Sequence, residues 1–272
     1  MRARKRFGQH FLEPAWVTKL VEASGVGFTD SVLGIGPGRG AITRPLAARS
    51  QRLLAVEVDR DLAAGLEQAS LPNVTVITSD VLEVDLIPAI TDWLGAPPSA
   101  SNRFRVVGNL PYNISSPILF ALLELAARTG AVTDALLMLQ KEVADRLVAR
   151  PATGEYGVLT VLTAVHADVS RVLNLPPGAF RPPPKVHSAV VRLTFRPPTV
   201  QIGDHDVFVK MVRTMFTQRR KTVANALKPF GLDRGLAPLA PLAAAGIDPT
   251  RRPETLTLPE MARLANAFVA VT

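Results

Sequence analysis

The 272-residue sequence predicts an α/β protein: a mostly parallel sheet with helices on both faces, followed by a small all-helical domain. Three observations predict it. Short apolar or β-branched runs alternate with helical segments through the first two-thirds of the chain, the pattern that a parallel sheet and its crossover helices leave in a sequence. A glycine-rich loop, Gly36-Pro-Gly-Arg-Gly40, follows the first of those runs directly. Beyond Arg196-Pro197-Pro198 only helical patterns remain, which places a boundary near 198 and domains at 1–198 and 199–272.

In order, Pro14 to Ala23 reads as a helix with proline in its first turn. Ser31 to Ile35 is the first strand. Ala41 to Arg49 is a helix in which Pro45 is discordant. Arg52 to Val58 is the second strand, Asp59 to Ala69 a helix, and Val74 to Thr78 the third strand. Phe104 to Val107 is an apolar run interrupted by Arg105 and reads as a buried parallel strand. Pro117 to Arg128 is helical, Asp134 to Leu139 a fifth strand, Lys141 to Ala149 a helix, and Val186 to Phe195 a late strand. The second domain reads as helices over Asp206 to Thr217, Thr222 to Leu227, Leu236 to Ala245 and Pro259 to Val271, without internal repeats.

Lys and Arg number 31 against 23 Asp and Glu, a net charge of +8 that points to a polyanionic partner or to a merely basic enzyme. The absence of cysteine excludes disulfides, thiolate metal sites and thiol nucleophiles. The four histidines lie at scattered positions without metal-ligand spacing, so no metal is expected. The basic stretch at the amino terminus is followed at once by Glu13 and Pro14 and lacks the apolar run of a secretory signal. A substrate-contacting arm explains its aromatic and glycine residues better than a transit peptide does. The expectation is a cytoplasmic, monomeric protein that engages no membrane.

The chemistry centres on Asn109-Leu-Pro-Tyr112, at the carboxyl end of the fourth strand, where α/β sheets place their active groups. The exocyclic amine of a base is a poor nucleophile because its lone pair is delocalised into the ring. It improves when its N–H groups donate to fixed acceptors and the nitrogen pyramidalises. The Asn109 side-chain oxygen and the Leu110 carbonyl are suited to accept those bonds. Pro111 stiffens the turn, and Tyr112 offers a ring face on which a base can stack. The competing reading is an ordinary strand-to-helix turn, in which Asn and Pro are common.

The loop at Gly36 has the spacing G-x-G-x-G, and Pro37 removes an amide that a phosphate would want. The ligand expected there is a nucleoside without phosphates. Glu57 closes the second strand 21 residues after Gly36, where an acid can bind both ribose hydroxyls. Asp80, after the third strand, is placed to accept from an adenine amino group. S-adenosylmethionine has that ribose and adenine and no phosphate. Either acid alone is more often a solvated strand-end carboxylate; the two in register with the glycine loop and Asn109-Leu-Pro-Tyr112 are much less often that.

These residues resemble the ribosomal small-subunit adenine N6-dimethyltransferases. Matching segments are Arg4-Lys-Arg-Phe-Gly-Gln-His-Phe-Leu12, Asn109-Leu-Pro-Tyr-Asn-Ile-Ser-Ser116, Leu139-Gln-Lys-Glu-Val-Ala-Asp-Arg-Leu147, Phe180-Arg-Pro-Pro-Pro-Lys-Val-His-Ser188, Gln218-Arg-Arg-Lys-Thr222 and Gly246-Ile-Asp-Pro249 with Arg252-Pro-Glu254. The resemblance implies a Rossmann-like S-adenosylmethionine-dependent methyltransferase domain with a small helical RNA-binding domain. It implies that His10, Leu12, Gly36, Gly38, Glu57, Asp80 and Asn109 contact S-adenosylmethionine, which leaves as S-adenosylhomocysteine. It implies that Asn109, Leu110, Pro111, Tyr112 and Phe180 hold the target adenine. The stiff Pro182-Pro-Pro184 run favours a loop at Phe180, against the reading of a core aromatic. Arg4, Lys5, Arg6, Arg219, Arg220 and Lys221 would bind RNA, as would Arg2, Arg251 and Arg252. Two departures are His187, where the family usually carries Asp, and Gly34, where it carries an acid that helps hold the methionine amino group.

The implied activity is dimethylation of N6 of two adjacent adenines near the 3′ end of small-subunit rRNA, in a pre-30S particle during ribosome biogenesis. A non-catalytic assembly factor is the alternative that Gly34 favours. A large-subunit rRNA adenine methyltransferase is a further one, opposed by the motifs at Gln218 and Gly246.

Overall fold

The computed structural model describes residues 10–270. Arg2, Arg4, Lys5 and Arg6 lie outside the described residues. The chain forms two compact units, one comprising the chain up to Ala144 with Ala167–Pro197, the other Asp145–His166 with Pro198–Thr272.

The strands in chain order are β1 (Phe11–Leu12), β2 (Ser31–Ile35), β3 (Arg52–Glu57), β4 (Val74–Thr78), β5 (Phe104–Asn109), β6 (Val132–Gln140), β7 (Ala167–Leu175), β8 (Phe180–Arg181) and β9 (Ser188–Phe195). Seven form one sheet in the order β4-β3-β2-β5-β6-β9-β7. β4, β3, β2, β5 and β6 run parallel, and β9 is antiparallel to both β6 and β7. The expected mostly parallel sheet is therefore present, with β7 as an additional edge strand. β7 buries only Ala167 and Leu175 and follows a helix without a turn residue, so neither periodicity nor punctuation marks it in the sequence.

The first unit carries α1 (Pro14–Ser24), α2 (Thr43–Ala47), α3 (Arg60–Glu67), α4 (Leu86–Leu94), α5 (Ser115–Thr129) and the start of α6 (Lys141–Leu147). Pro45 falls in the first turn of the short α2, where amides have no intrahelical acceptor, so the helix tolerates it. The Asp59 side chain caps α3 by accepting from the Asp61 N–H at 3.1 Å. A continuous apolar cluster joins Leu12, Val17, Leu20 and Val21 to Val32, Leu53, Ala55, Val107 and Met138. The end of α1 is fixed by charge as well. Arg105 and Arg192 both bond the buried Asp134 carboxylate and donate to carbonyls at residues 23–25. Two cations at a helix C-terminus satisfy its orphan carbonyls and favour its dipole. They anchor the helix that follows β1.

The second unit contains α7 (Val158–His166), α8 (His205–Thr217), α9 (Val223–Ala226), α10 (Lys228–Leu232), α11 (Leu239–Ala244) and α12 (Leu258–Ala270). Phe208, Met211, Val212 and Met215 make the buried stripe of α8, and Met261, Leu264 and Phe268 that of α12. Phe230 meets Phe268 edge-on at 5.0 Å between ring centroids. Residues 145–166, assigned to the first domain from sequence, belong to this unit. The Ala152 N–H donates to Glu254 O at 2.7 Å and the Tyr156 hydroxyl to Leu256 O at 2.9 Å, long-range bonds that no local pattern announces.

Candidate active site

β2 and β5 are neighbours, with Gly34 opposite Val107 and Ile35 opposite Gly108. The strand order runs from β2 outward to β3 and β4, and from β5 outward to β6. This switch point opens a crevice at the carboxyl ends of the strands. The glycine loop leaves β2 there and Asn109 ends β5. The two segments touch. Gly36 has φ +64°, and a Cβ on it would lie 3.4 Å from Asn109 O.

Gly108 and Gly34 make a contrast. A Cβ at Gly108 would sit 3.0 Å from Leu110 Cδ2 and 3.2 Å from Ile35 O, so the carbonyl of a neighbouring strand would have to move. At Gly34 a Cβ would meet Leu53 Cδ2 and Leu54 O at 3.7 Å, ordinary contact. Gly34 is thus a position where the backbone does not require glycine. Gly34→Ala is expected to raise stability by about 0.5–1 kcal/mol, and Gly108→Ala to lower it by about 1–3 kcal/mol through overpacking. Urea unfolding of the two variants beside the parent checks both signs.

One cleft, enclosing about 980 Å³ of empty space including its open mouth, is lined by His10, Leu12, Gly36, Gly38, Glu57, Asp80 and Asn109 through Tyr112. Glu57 is committed at both oxygens. Its Oε2 accepts the Gly38 N–H at 2.9 Å and its Oε1 the Asp59 N–H at 2.9 Å. Burial raises the Glu57 pKa, while these N–H donors pull it back. Each carboxylate oxygen keeps further lone pairs for a ligand hydroxyl. Asp80 Oδ1 accepts the Leu82 N–H at 3.0 Å.

Asn109 Nδ2 donates to His10 O at 3.1 Å. That carbonyl accepts only, so the amide nitrogen must face it and Oδ1 must face away. The Leu110 N–H donates to Met138 O at 3.1 Å, which holds the next peptide on β6. Tyr112 stacks on His10 with centroids 5.7 Å apart and planes at 23°, and its hydroxyl bonds Ser188 Oγ at 2.6 Å. Burial raises the Tyr112 pKa, so the ring carries a neutral phenol at neutral pH.

Phe180 departs from expectation. It is fully buried, lies in β8 opposite Leu12, and belongs to the apolar cluster beneath β1. It pairs across the two strands with Leu12 and is not among the residues that line the cleft. The stiff Pro182–Pro184 run that suggested a loop begins only after it. The basic residues divide similarly. Arg220, Lys221 and Arg252 are exposed. Arg219 is half-buried, donates to Gly154 O at 2.9 Å and lies 3.9 Å from the Glu254 carboxylate. Arg251 forks onto Glu260, with Nη1 2.5 Å from Oε1 and Nη2 3.3 Å from Oε2, and holds that carboxyl at about 2. Arg251 therefore has a structural role in the helical unit. Among the cleft residues not singled out from sequence are Phe11 and Arg39, whose guanidinium carbon lies over the Phe11 ring at 4.1 Å from the centroid.

The family model for ribosomal RNA adenine dimethylases matches residues 1–266. The chain belongs to this family. A relative from Geobacter metallireducens named ribosomal RNA small subunit methyltransferase A is 43% identical over 278 residues, covering 100% of this chain and 97% of the relative. The structure of a 23S rRNA methyltransferase, ErmE, is similar with a TM-score of 0.66 and 26% identity over 95% of this chain and 99% of its own. A dimethyladenosine transferase from Plasmodium falciparum shares the fold, with a TM-score of 0.75 at 23% identity over 94% of this chain and 96% of its own. Within the rRNA adenine dimethylase family, methyl transfer to RNA is this chain's class of reaction.

Proposed function

We propose that this dimethylase transfers two methyl groups from S-adenosylmethionine to N6 of each of two adjacent adenines near the 3′ end of small-subunit rRNA, acting as a cytoplasmic monomer on a pre-30S particle. The observation that carries the reading is the orientation of Asn109. With Nδ2 held by His10 O, its Oδ1 is an acceptor of fixed direction at the cleft.

The cleft residues fit S-adenosylmethionine. Glu57 accepts from ribose hydroxyls while retaining the Gly38 and Asp59 N–H bonds, and Asp80 accepts from the adenine amine. His10, Leu12, Gly36 and Gly38 surround the remainder. When bound, the cofactor supplies a methyl group activated by a sulfonium. The target adenine leaves its stack at a cost of a few kcal/mol. Tyr112 recovers roughly 1–3 kcal/mol of that by stacking. Asn109 Oδ1 and the Leu110 carbonyl accept from N6, raise the electron density on its nitrogen, and aim it at the methyl. Positioning of this kind is the main contribution, and no strong general base is needed.

The small-subunit substrate is supported by relatives such as the Geobacter protein at 43% identity, against 26% for ErmE. Incubation with labelled S-adenosylmethionine and a mixture of small- and large-subunit RNA tests the choice. Label in small-subunit RNA is expected. Label confined to large-subunit RNA refutes the substrate, and cofactor binding without any transfer favours the assembly-factor reading.

Arg220 and Lys221 are proposed as RNA phosphate contacts, with Arg219 held largely by its own unit. Changing Arg219, Arg220 and Lys221 together to Ala should weaken RNA binding across sequences. It should flatten the salt dependence by about two phosphate contacts' worth. Cofactor affinity should be unchanged. Titrations at several salt concentrations read the slope, and an unchanged slope removes the cluster from the RNA interface.

A further inference from the structure

We propose that Arg39 holds the carboxylate of the amino-acid portion of the cofactor, which makes it a binding residue on the cleft's rim. The inference rests on the S-adenosylmethionine reading and identifies a partner for the one negative charge on that molecule, which the carboxylates Glu57 and Asp80 cannot match.

The cleft is polarised. It spans the strand order β4-β3-β2-β5. Its two carboxylates, Glu57 at the end of β3 and Asp80 just after β4, lie at one end. The glycine loop follows β2, and Asn109 closes β5 at the other end. Among the described residues lining the cleft, Arg39 is the single Lys or Arg. It is tied to the Asn109 end through a short chain of contacts. Its guanidinium carbon lies over the Phe11 ring, Phe11 is held in β1 opposite Arg181, and the preceding carbonyl, His10 O, receives the Asn109 amide.

A nucleoside seated at Glu57 and Asp80 runs toward Asn109, where the methyl acceptor waits. The amino-acid tail leaves the sulfur at that same end. Its carboxylate enters a cleft that already holds two carboxylates, and such an arrangement is repulsive without a cation. The guanidinium carbon packs over the Phe11 ring, and a guanidinium carries five donors at its edge, so Arg39 can offer two of them as a fork to a carboxylate while keeping that contact. Phe11 acts as the rest that keeps the fork at the rim.

The test is calorimetry on the full chain with two ligands that differ in the relevant group. S-adenosylhomocysteine carries the carboxylate; 5′-methylthioadenosine is the same adenosyl thioether without the amino acid. Arg39→Met keeps an apolar stem over Phe11 and removes the charge. It should weaken S-adenosylhomocysteine binding about tenfold or more and leave methylthioadenosine binding unchanged. Arg39→Lys should restore part of the loss, because a point charge replaces a fork. Equal weakening of both ligands would overturn the proposal, since Arg39 would then only shape the wall. So would intact S-adenosylhomocysteine binding with weakened binding of small-subunit RNA, which would assign Arg39 to an RNA phosphate. If the unaltered protein binds neither ligand, the S-adenosylmethionine reading itself fails. If protein and variant bind both ligands equally, only the Arg39 assignment does.

Discussion

Asn109→Ala is expected to lower methyl transfer about 10²–10³-fold, the loss typical when one preorganised polar group is removed from a reacting centre. The size follows from the geometry. The side chain makes one bond to the protein, from Nδ2 to His10 O, and that bond dictates where Oδ1 points. Removing it deletes an acceptor whose direction was set before the adenine arrived, and among the described residues no other side-chain amide lines the cleft. Asn109→Asp separates orientation from mere polarity. The carboxylate retains acceptors but cannot donate to His10 O, so it turns away from that carbonyl and should recover little activity. Single-turnover transfer from labelled cofactor, with cofactor affinity measured in parallel, checks both variants. Turnover at the parental level in Asn109→Ala would remove this residue from the site.

Glu57→Gln should weaken cofactor binding about 100-fold, because two hydrogen bonds to a charged acceptor, each worth roughly 1.5–3 kcal/mol, are lost or reduced. The carboxamide must also turn an NH₂ toward one of two N–H donors, Gly38 or Asp59, and so loosen the glycine loop. The pH dependence carries a definite sign. Burial raises the Glu57 pKa. The ionised form accepts two hydroxyls, and protonation replaces an acceptor with a donor. Affinity is therefore full above the raised pKa and falls as the pH is lowered through it, beginning above the ordinary carboxylate value of 4.5. A raised carboxyl pKa costs folding stability above that pKa and relieves the cost on protonation. Loss of binding in this window is then separable from unfolding. The fall should be absent in Glu57→Gln. A pH profile that is the same for both proteins would show that Glu57 is not the titrating acceptor.

The features visible in the sequence are those with short-range causes. β2, β3, β4 and β5 are short runs dominated by apolar or β-branched residues. The glycine loop and Asn109 sit at strand ends whose adjacency follows from the parallel order, so His10, Leu12, Gly36, Gly38, Glu57, Asp80 and residues 109–112 converge on one cleft. Most of the failures have long-range causes. Phe180 reads as a loop aromatic from its prolines, yet pairing with Leu12 puts it in the core. Arg251 reads as a surface cation until Glu260 comes within 2.5 Å through the fold. α4 was unread because Pro88 lies in an apolar stretch short enough to pass for a loop, although a proline in a first turn is compatible with a helix. Residues 145–166 precede the Pro197-Pro198 boundary, and their bonds to residues 219, 254 and 256 tie them to the second unit.

The most direct test of the central claim is nucleoside mass analysis of small-subunit rRNA after reaction of the protein with unmethylated small-subunit particles and S-adenosylmethionine. N6,N6-dimethyladenosine is expected at two methyl groups per modified base, on two adjacent adenines near the 3′ end, and is expected to be lost in Asn109→Ala. Methylation at another atom or base, or dimethyladenosine formed at the same rate without the Asn109 side chain, would contradict it.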